Sequence, residues 1–493
     1  MSNINNLERV LTGKGYAIKK SALTPPQTIE LRKALTVAPI SHVKYAATAS
    51  QAFPVYLESP TRFYIPRMYG REHYGREEAN TISQGLPLPS TITFKGSPYD
   101  YQENIINTFI NRGANGLICV PCGKGKTFMA LNIAIRLGKR FLVVVDKEFL
   151  LNQWKGEIAA FIGGTDAARI GVIQGPLCQT DPAKYDITIC MIQTICSRDF
   201  PEDTFNGYGF TIFDECHHLG AAYFSRTLMK IQTASQLGLS ATPTRDDGLT
   251  RVFEWYLGPP VYWEKIREPD TTVTVRCVRF NTKDPLYNQE QTDYKGELVM
   301  ARMLTQIVEC SERTQTIVNL LSELLKNPHR KVLVLSERIE HLKCIEAGCK
   351  EKEGSEMKIG YYIGGMKEEV REKGAREARV LLASYSMASE AMNIKELNAV
   401  ILASPRKKVE QSTGRILRQR KEDRKVDPII IDLVDSHGIY LRQWRMRFQY
   451  YKQCGYKIER TNNKEDSSNK EDSSDEEKET ELTASIGCLV LDD

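Results

Sequence analysis

Gly116-Leu-Ile-Cys-Val-Pro-Cys-Gly-Lys-Gly-Lys-Thr127 joins an apolar run to a turn rich in glycine and lysine. Residues 117–120, bounded by turn formers, predict a buried strand. Gly123-Lys124-Gly125 predicts a loop whose backbone N–H groups converge on phosphate oxygens. Glycine belongs where the main chain approaches phosphate closely or takes a positive φ. A helix starting near Thr127 would point its positive N-terminal end at the same anion. Lys126 would then reach the β- and γ-phosphates of a nucleotide, and Thr127 would ligate Mg2+. The strict pattern has glycine at position 120, where this chain has Val120. A second motif must therefore support the first.

Residues 208–213, Tyr-Gly-Phe-Thr-Ile-Phe, form that second signal, because they deliver Asp214-Glu215-Cys216-His217 at the end of an apolar run. In a parallel α/β sheet the carboxyl ends of the strands share one edge, so Lys126 and Asp214 are expected to meet there. Asp214 would hold Mg2+, directly or through water, and Glu215 would orient and deprotonate the attacking water. An Asp-Glu pair alone would read as a solvated strand end. The phosphate loop upstream makes the catalytic reading the better one.

The rest of the chain repeats this rhythm. Tyr99-Asp-Tyr-Gln102 precedes an amphipathic helix through Ile105, Ile106, Phe109 and Ile110, so Gln102 is placed either to read an adenine edge or to cap that helix. Strands are expected at 141–145, 170–173, 187–191 and 236–239, with helices between them. Ser240-Ala-Thr242 is expected beside the Mg2+ site, linking it to a strand-binding face or forming a local turn. Gly258-Pro-Pro260 reads as a break. A second βα series follows at 331–335, 358–363, 380–383, 399–402 and 428–433, after a strand at 271–280 and a polar loop at 284–295. Alternating strands and helices imply parallel sheets covered on both faces. The second series has no phosphate loop. Its Gln411-Ser-Thr-Gly-Arg415-Ile-Leu-Arg418 places two arginines on one helix face, either solvated or acting as cations toward a γ-phosphate.

The ends of the chain differ in composition. In residues 1–93, Arg62, Tyr64, Arg67, Tyr69, Arg71, His73, Tyr74 and Arg76 interleave cations with aromatics, which suits either base stacking or a small core. Residues 86–90, Leu-Pro-Leu-Pro-Ser, read as a linker. The overall charge of +5 is the difference between +13 on residues 1–463 and −8 on residues 464–493, where 3 Lys face 11 Asp or Glu. A basic body suggests a polyanionic partner. The acidic tail, with Lys-Glu-Asp-Ser-Ser at 464–468 and 470–474, lacks apolar surface to bury and is expected to be disordered. Its last apolar run, Ile486-Gly-Cys-Leu-Val-Leu491, could dock on the body or on a partner. No apolar run approaches the roughly 18 residues needed to span a membrane, and no signal peptide is evident. The 12 cysteines show no zinc-ligand grouping. They are expected to be thiols in a reducing compartment.

Taken together and in order, Tyr101-Gln102, Gly123-Lys-Gly-Lys-Thr127, Leu151-Asn-Gln-Trp154, Gln193-Thr194, Asp214-Glu-Cys-His217, Ser240-Ala-Thr242, residues 384–393 and Gln411-x-x-Gly414-Arg415-x-x-Arg418 resemble the motifs of a superfamily 2 helicase of the DExH type. The likeness covers residues 94–450. It departs at Asn393, where relatives carry Asp. Residues 238–248 look most like the DNA-directed branch, and the length, N-terminal piece and acidic tail resemble poxvirus transcript-release DNA helicases. The resemblance implies an α/β fold of two tandem RecA-like parallel-sheet domains forming an ATP cleft. The expected division is an N-terminal accessory domain (1–93), an ATP-binding domain (94–262), a helicase C-terminal domain (263–458) and a disordered tail (459–493).

It further implies that Gln102, Pro121, Cys122, Gly123, Lys124, Gly125, Lys126, Thr127 and Asp214 bind ATP and Mg2+, with Thr127 and Asp214 on the metal. Glu215, Lys126, Gln411, Arg415 and Arg418 would act in catalysis. The implied partners are DNA, or an RNA–DNA hybrid in a transcription complex, together with RNA polymerase and viral transcription and elongation factors, in the virion and host cytoplasm. A DExH RNA helicase and a non-catalytic transcription adaptor remain alternatives at this point.

Overall fold

The computed structural model describes residues 8–40, 51–121, 123–164, 166, 169–264, 269–354, 356–390, 392, 394–417, 419 and 421–461. They fall into two compact units, Met1–Arg267 and Glu268–Asp493.

The first unit is built on an eight-stranded sheet. Across it run Leu177–Cys178, Ile170–Gln174, Ile187–Met191, Phe141–Val145, Phe210–Phe213, Ser235–Ser240, Asn115–Cys119 and Pro260–Trp263. All neighbours are parallel except Leu177–Cys178. The central strands read as unbroken apolar runs because helices cover both faces; all five residues of Phe141–Val145 are buried. The strand order sets Ser235–Ser240 between Phe210–Phe213 and Asn115–Cys119, with Phe213 opposite Gly238 and Ser240 opposite Cys119. Three motif-bearing strand ends therefore lie side by side. Pro260, the last residue of the expected break at 258–260, opens the edge strand Pro260–Trp263, a position where a missing N–H is tolerated.

The N-terminal residues belong to this same compact unit. Their five-stranded sheet runs Leu57–Glu58, Arg62–Ile65, Gly15–Lys19, Val10–Thr12 and Ala79–Asn80. The helix Pro25–Ala34 begins at Thr24, whose side chain and that of Gln27 cap each other's backbone N–H. Of the interleaved arginines and aromatics, Arg67 and Tyr69 are buried as packing residues, while His73 and Arg76 are exposed. Arg67 is buried, and its guanidinium donates to Gln232 Oε1 (3.0 Å), Thr233 O (2.7 Å) and Asn115 Oδ1 (3.0 Å), at the start of the strands that carry the motifs. Tyr69 packs edge-on against Trp255, and Arg71 pairs with Glu77 at 2.6 Å. The proline-rich linker is likewise fixed: Leu86 N donates to Gly207 O and Leu88 N to Gly138 O.

The second unit carries a seven-stranded, all-parallel sheet: Ile359–Tyr362, Val380–Ser384, Val332–Ser336, Ala399–Leu402, Ile429–Asp435, Thr274–Phe280 and Lys457–Thr461. The last strand corrects the expected tail boundary. Glu459, Arg460 and Thr461 pair with Arg276, Cys277 and Val278, so main-chain pairing carries a polar segment past 458. The remainder of the expected tail, from 462, lies outside the described residues, as does Asn393.

His341 sits beneath this sheet, 2% exposed, with Nδ1 3.0 Å from Ser336 Oγ. Burial, reinforced by the charge of Arg313, lowers its pKa to about 3. The unfolded chain then binds a proton that the folded chain refuses, so stability falls as pH drops below the ordinary histidine value near 6.5. The expected slope is about 1.4 kcal/mol per pH unit from this one group. Urea unfolding of His341→Asn should lose that increment between pH 6.5 and 4.5; an identical pH slope in both proteins would refute the assignment.

Candidate nucleotide site

The loop and the acidic motif meet as the strand order requires. Val120 and Pro121 leave the end of Asn115–Cys119, and Gly123, Lys124 and Gly125 lead into the helix Lys126–Leu137. Gly123 has φ +90° and Gly125 has φ +79°. At Gly125 the positive φ favours glycine, and a Cβ there would lie 2.5 Å from Gln102 Nε2 and displace the end of that side chain. The first turn of a twelve-residue helix turns its N–H groups toward this loop, which suits an anion. Lys126 Nζ lies 3.9 Å from Glu215 Oε1, both largely enclosed, and Thr127 is half-buried in the same turn. Pro121 is half-buried at the loop's start. Cys122 lies outside the described residues.

Gln102 braces the loop. Its Oε1 accepts from Tyr99 N at 3.1 Å, closing the cap of the helix Asp100–Asn111, and its Nε2 donates to Lys124 O at 3.1 Å. Tyr101 OH donates to the same carbonyl at 3.1 Å. Of the two roles open to Gln102, helix capping is the one this geometry displays.

Asp214 follows the strand Phe210–Phe213, and both of its carboxylate oxygens accept protein hydrogen bonds. Trp154 Nε1 donates to Oδ2 at 2.8 Å and Glu215 N to Oδ1 at 3.0 Å. Burial first, and the adjacent Glu215 charge second, push the Asp214 pKa up to about 6, against the Trp154 hydrogen bond and the Lys126 charge. A carboxylate that resists ionisation is stabilised by a cation brought beside it. Glu215 adopts φ +43°, a left-handed conformation that costs a non-glycine residue about 1–3 kcal/mol and is typical of functional positions. Its carboxylate faces Lys126 at the start of the neighbouring helix.

His217 closes the site on the other side. Its Nδ1 lies 3.0 Å from Ser240 Oγ and 3.4 Å from Glu215 Oε2, and burial lowers its pKa to about 4, so near neutral pH it is uncharged. Ser240 Oγ also accepts from Thr242 N at 3.1 Å. Ser240 is thus both a turn former and a neighbour of the acidic motif. His218 Nε2 stands 3.6 Å from Asp146 Oδ2, and Gln193 Nε2 donates to Asp146 O, connecting three strand ends.

Among the described residues no group of three or more His, Cys, Asp or Glu side chains could hold a metal ion by itself. Mg2+ in nucleotide sites needs none, because phosphates and water supply most of its ligands and the protein one or two carboxylates. Asp214 and Glu215 beside a lysine and a phosphate-type loop fit that requirement.

Trp154 is the residue whose role sequence reasoning missed. A lone tryptophan on the apolar face of the helix Glu148–Phe161 reads as core, and it is 1% exposed; nothing local announces that its N–H reaches an acid sixty residues on. Trp154→Phe keeps most of the volume and removes the donor. We expect a higher Mg2+ requirement for ATP hydrolysis with about 1–2 kcal/mol lost in stability. Magnesium titration and urea unfolding check this, and an unchanged Mg2+ requirement would count against it.

The remaining expected site residues lie in the second unit. Gln411 is half-buried in the short helix Glu410–Thr413, and Arg415 falls in the 3-10 turn Gly414–Leu417 that continues it, so the segment is not the continuous α-helix expected. Arg415 is 5% exposed, with Nη1 donating to Met392 O at 3.0 Å. Arg418 lies outside the described residues.

Two family models match separate stretches of the chain. Residues 95–245 match the family model "Type III restriction enzyme, res subunit", and residues 313–420 match "Helicase conserved C-terminal domain". A chain of Acanthamoeba polyphaga mimivirus named "Putative ATP-dependent RNA helicase L396" is 30% identical over 468 residues, covering 92% of this chain and 87% of its own. "Putative ATP-dependent RNA helicase QP509L" of African swine fever virus (strain Badajoz 1971 Vero-adapted) is 26% identical, covering 68% of each chain. Among solved structures, "the fragment structure of a putative HsdR subunit of a type I restriction enzyme from Vibrio vulnificus YJ016" superposes with a TM-score of 0.51 at 17% identity, over 75% of this chain and 69% of its own. That likeness bears on the fold: the two sheets are RecA-like domains.

Proposed function

The chain belongs to the superfamily 2 helicases, and from that premise we propose that it hydrolyses ATP to move along DNA. The observation that carries the reading is the meeting of Lys126 with Asp214 and Glu215 across the end of the intervening strand Ser235–Ser240, with Glu215 at φ +43° and its carboxylate 3.9 Å from Lys126. Bound Mg2+ would neutralise phosphate charge as it develops. The chain's own residues do the rest. The 123–125 loop and the start of the helix Lys126–Leu137 bind the phosphates, and Lys126 fixes their position. Asp214, held by Trp154, presents its carboxylate to the metal side. Glu215 orients the attacking water and accepts its proton. The Ser240–His217 contact ties this chemistry to the strand end that follows the acidic motif.

DNA as the track draws support from the restriction-enzyme family model over 95–245 and from the likeness of residues 238–248 to the DNA-directed branch, while the +13 charge on residues 1–463 suits either nucleic acid. The names of the mimivirus and African swine fever virus relatives favour RNA instead. A viral transcript-release role, with RNA polymerase and its elongation factors as partners, extends the DNA reading. ATP hydrolysis measured with single-stranded DNA, duplex DNA and RNA at one fixed salt concentration separates the two. Stimulation by DNA and not by RNA is expected; the reverse would make the enzyme an RNA helicase and would remove the ground for the transcript-release role.

A further inference from the structure

Glu264 touches both ends of the nucleotide loop. Its backbone N–H donates to Cys119 O at 2.9 Å, continuing the pairing of Pro260–Trp263 with Asn115–Cys119 to the residue where the loop departs. Its carboxylate Oε1 lies 3.3 Å from Lys124 Nζ, with both side chains less than one-fifth exposed. Lys124 is gripped from other sides too: Tyr101 OH and Gln102 Nε2 hold its carbonyl, and its ammonium lies 5.1 Å from the centre of the Tyr101 ring. The loop is therefore tied down at its origin by main chain and near its end by an enclosed ion pair. One residue supplies both ties. It stands three residues before the boundary between the compact units.

We propose that Glu264 is a positioning residue for ATP, holding Gly123, Lys124 and Gly125 in their phosphate-receiving shape through Lys124. A flexible glycine loop loses backbone freedom when it closes on an anion, and ordering it beforehand reduces that cost at the moment of binding. The carboxylate acts through Lys124 and touches neither substrate nor metal. Its negative charge by itself would weaken binding of a triphosphate, so a positioning role and a purely electrostatic one predict opposite signs. This inference rests on the nucleotide reading of the site.

The test uses the full-length chain and the variants Glu264→Ala and Glu264→Gln. Removing the tie should raise the KM for ATP, and the Kd for a non-hydrolysable ATP analogue, by about tenfold, the scale of breaking one close, largely enclosed ion pair, with kcat little changed. The glutamine keeps an acceptor for the Lys124 ammonium and should restore most of the affinity. In Lys124→Met the Glu264→Ala change should have little further effect, because the partner is already gone. Tighter binding in both Glu264 variants would overturn the proposal in favour of simple charge repulsion. Unchanged KM and Kd in Glu264→Ala would overturn it outright. Failure of the wild-type chain to bind or hydrolyse ATP would instead defeat the nucleotide reading beneath it.

Discussion

Lys126→Ala should lower ATP turnover by about 10²–10³-fold, the cost of removing one preorganised cation from a site of developing negative charge. The lysine begins the helix Lys126–Leu137 and lies 3.9 Å from Glu215, so its loss removes the charge facing both phosphate and catalytic carboxylate. Binding of nucleic acid should be retained, since one charge is a small part of the basic body. Steady-state phosphate release and a nucleic-acid titration at the same salt concentration check both halves. Turnover at the wild-type rate would mean that residues 123–127 do not hold a nucleotide.

Arg313→Ala should cost the second unit about 3–5 kcal/mol, because it strands a buried charge. Arg313 and Asp435 are both 0% exposed and form a two-point pair at 2.7 and 3.0 Å, with Tyr287 OH donating to the same carboxylate at 2.7 Å. A second such pair, Arg447 with Asp432 at 2.8 and 2.9 Å, hangs from the same strand Ile429–Asp435. Replacing both partners, Arg313→Met with Asp435→Leu, should recover much of the loss, since no unpaired charge remains. Urea unfolding of the two proteins decides it: equal destabilisation in the single and double variants would show that the pair itself, not the stranded charge, sets the cost.

What could be read from the sequence followed how local each signal was. The phosphate loop, the acidic motif and the apolar strands Phe141–Val145, Ile187–Met191 and Ala399–Leu402 announce themselves in consecutive residues, and they fall at those positions. Pro260–Trp263 escaped because its proline signal is ambiguous between a break and a sheet edge, and only the neighbouring strand decides which. Lys457–Thr461 escaped because its pairing with Thr274–Phe280 outweighs a polar composition. In the N-terminal region, the interleaved cations and aromatics left base stacking and a small core both open; Arg67 satisfies the side-chain and main-chain oxygens of Gln232, Thr233 and Asn115, partners that composition cannot foresee. Within the site, residue types were legible and their auxiliary contacts were not. Trp154 on Asp214 and Glu264 on Lys124 are long-range, and tertiary packing alone creates them.

The most direct test of the ATP-driven motor is phosphate release by the full chain, with and without nucleic acid at fixed salt, beside Glu215→Gln. That variant removes the proton acceptor while preserving shape, at an expected cost of about 10²–10⁴-fold. The account predicts turnover that rises when nucleic acid is added and collapses in the variant under the same conditions. Undiminished turnover in Glu215→Gln, or no turnover with any strand in the wild type, would contradict it.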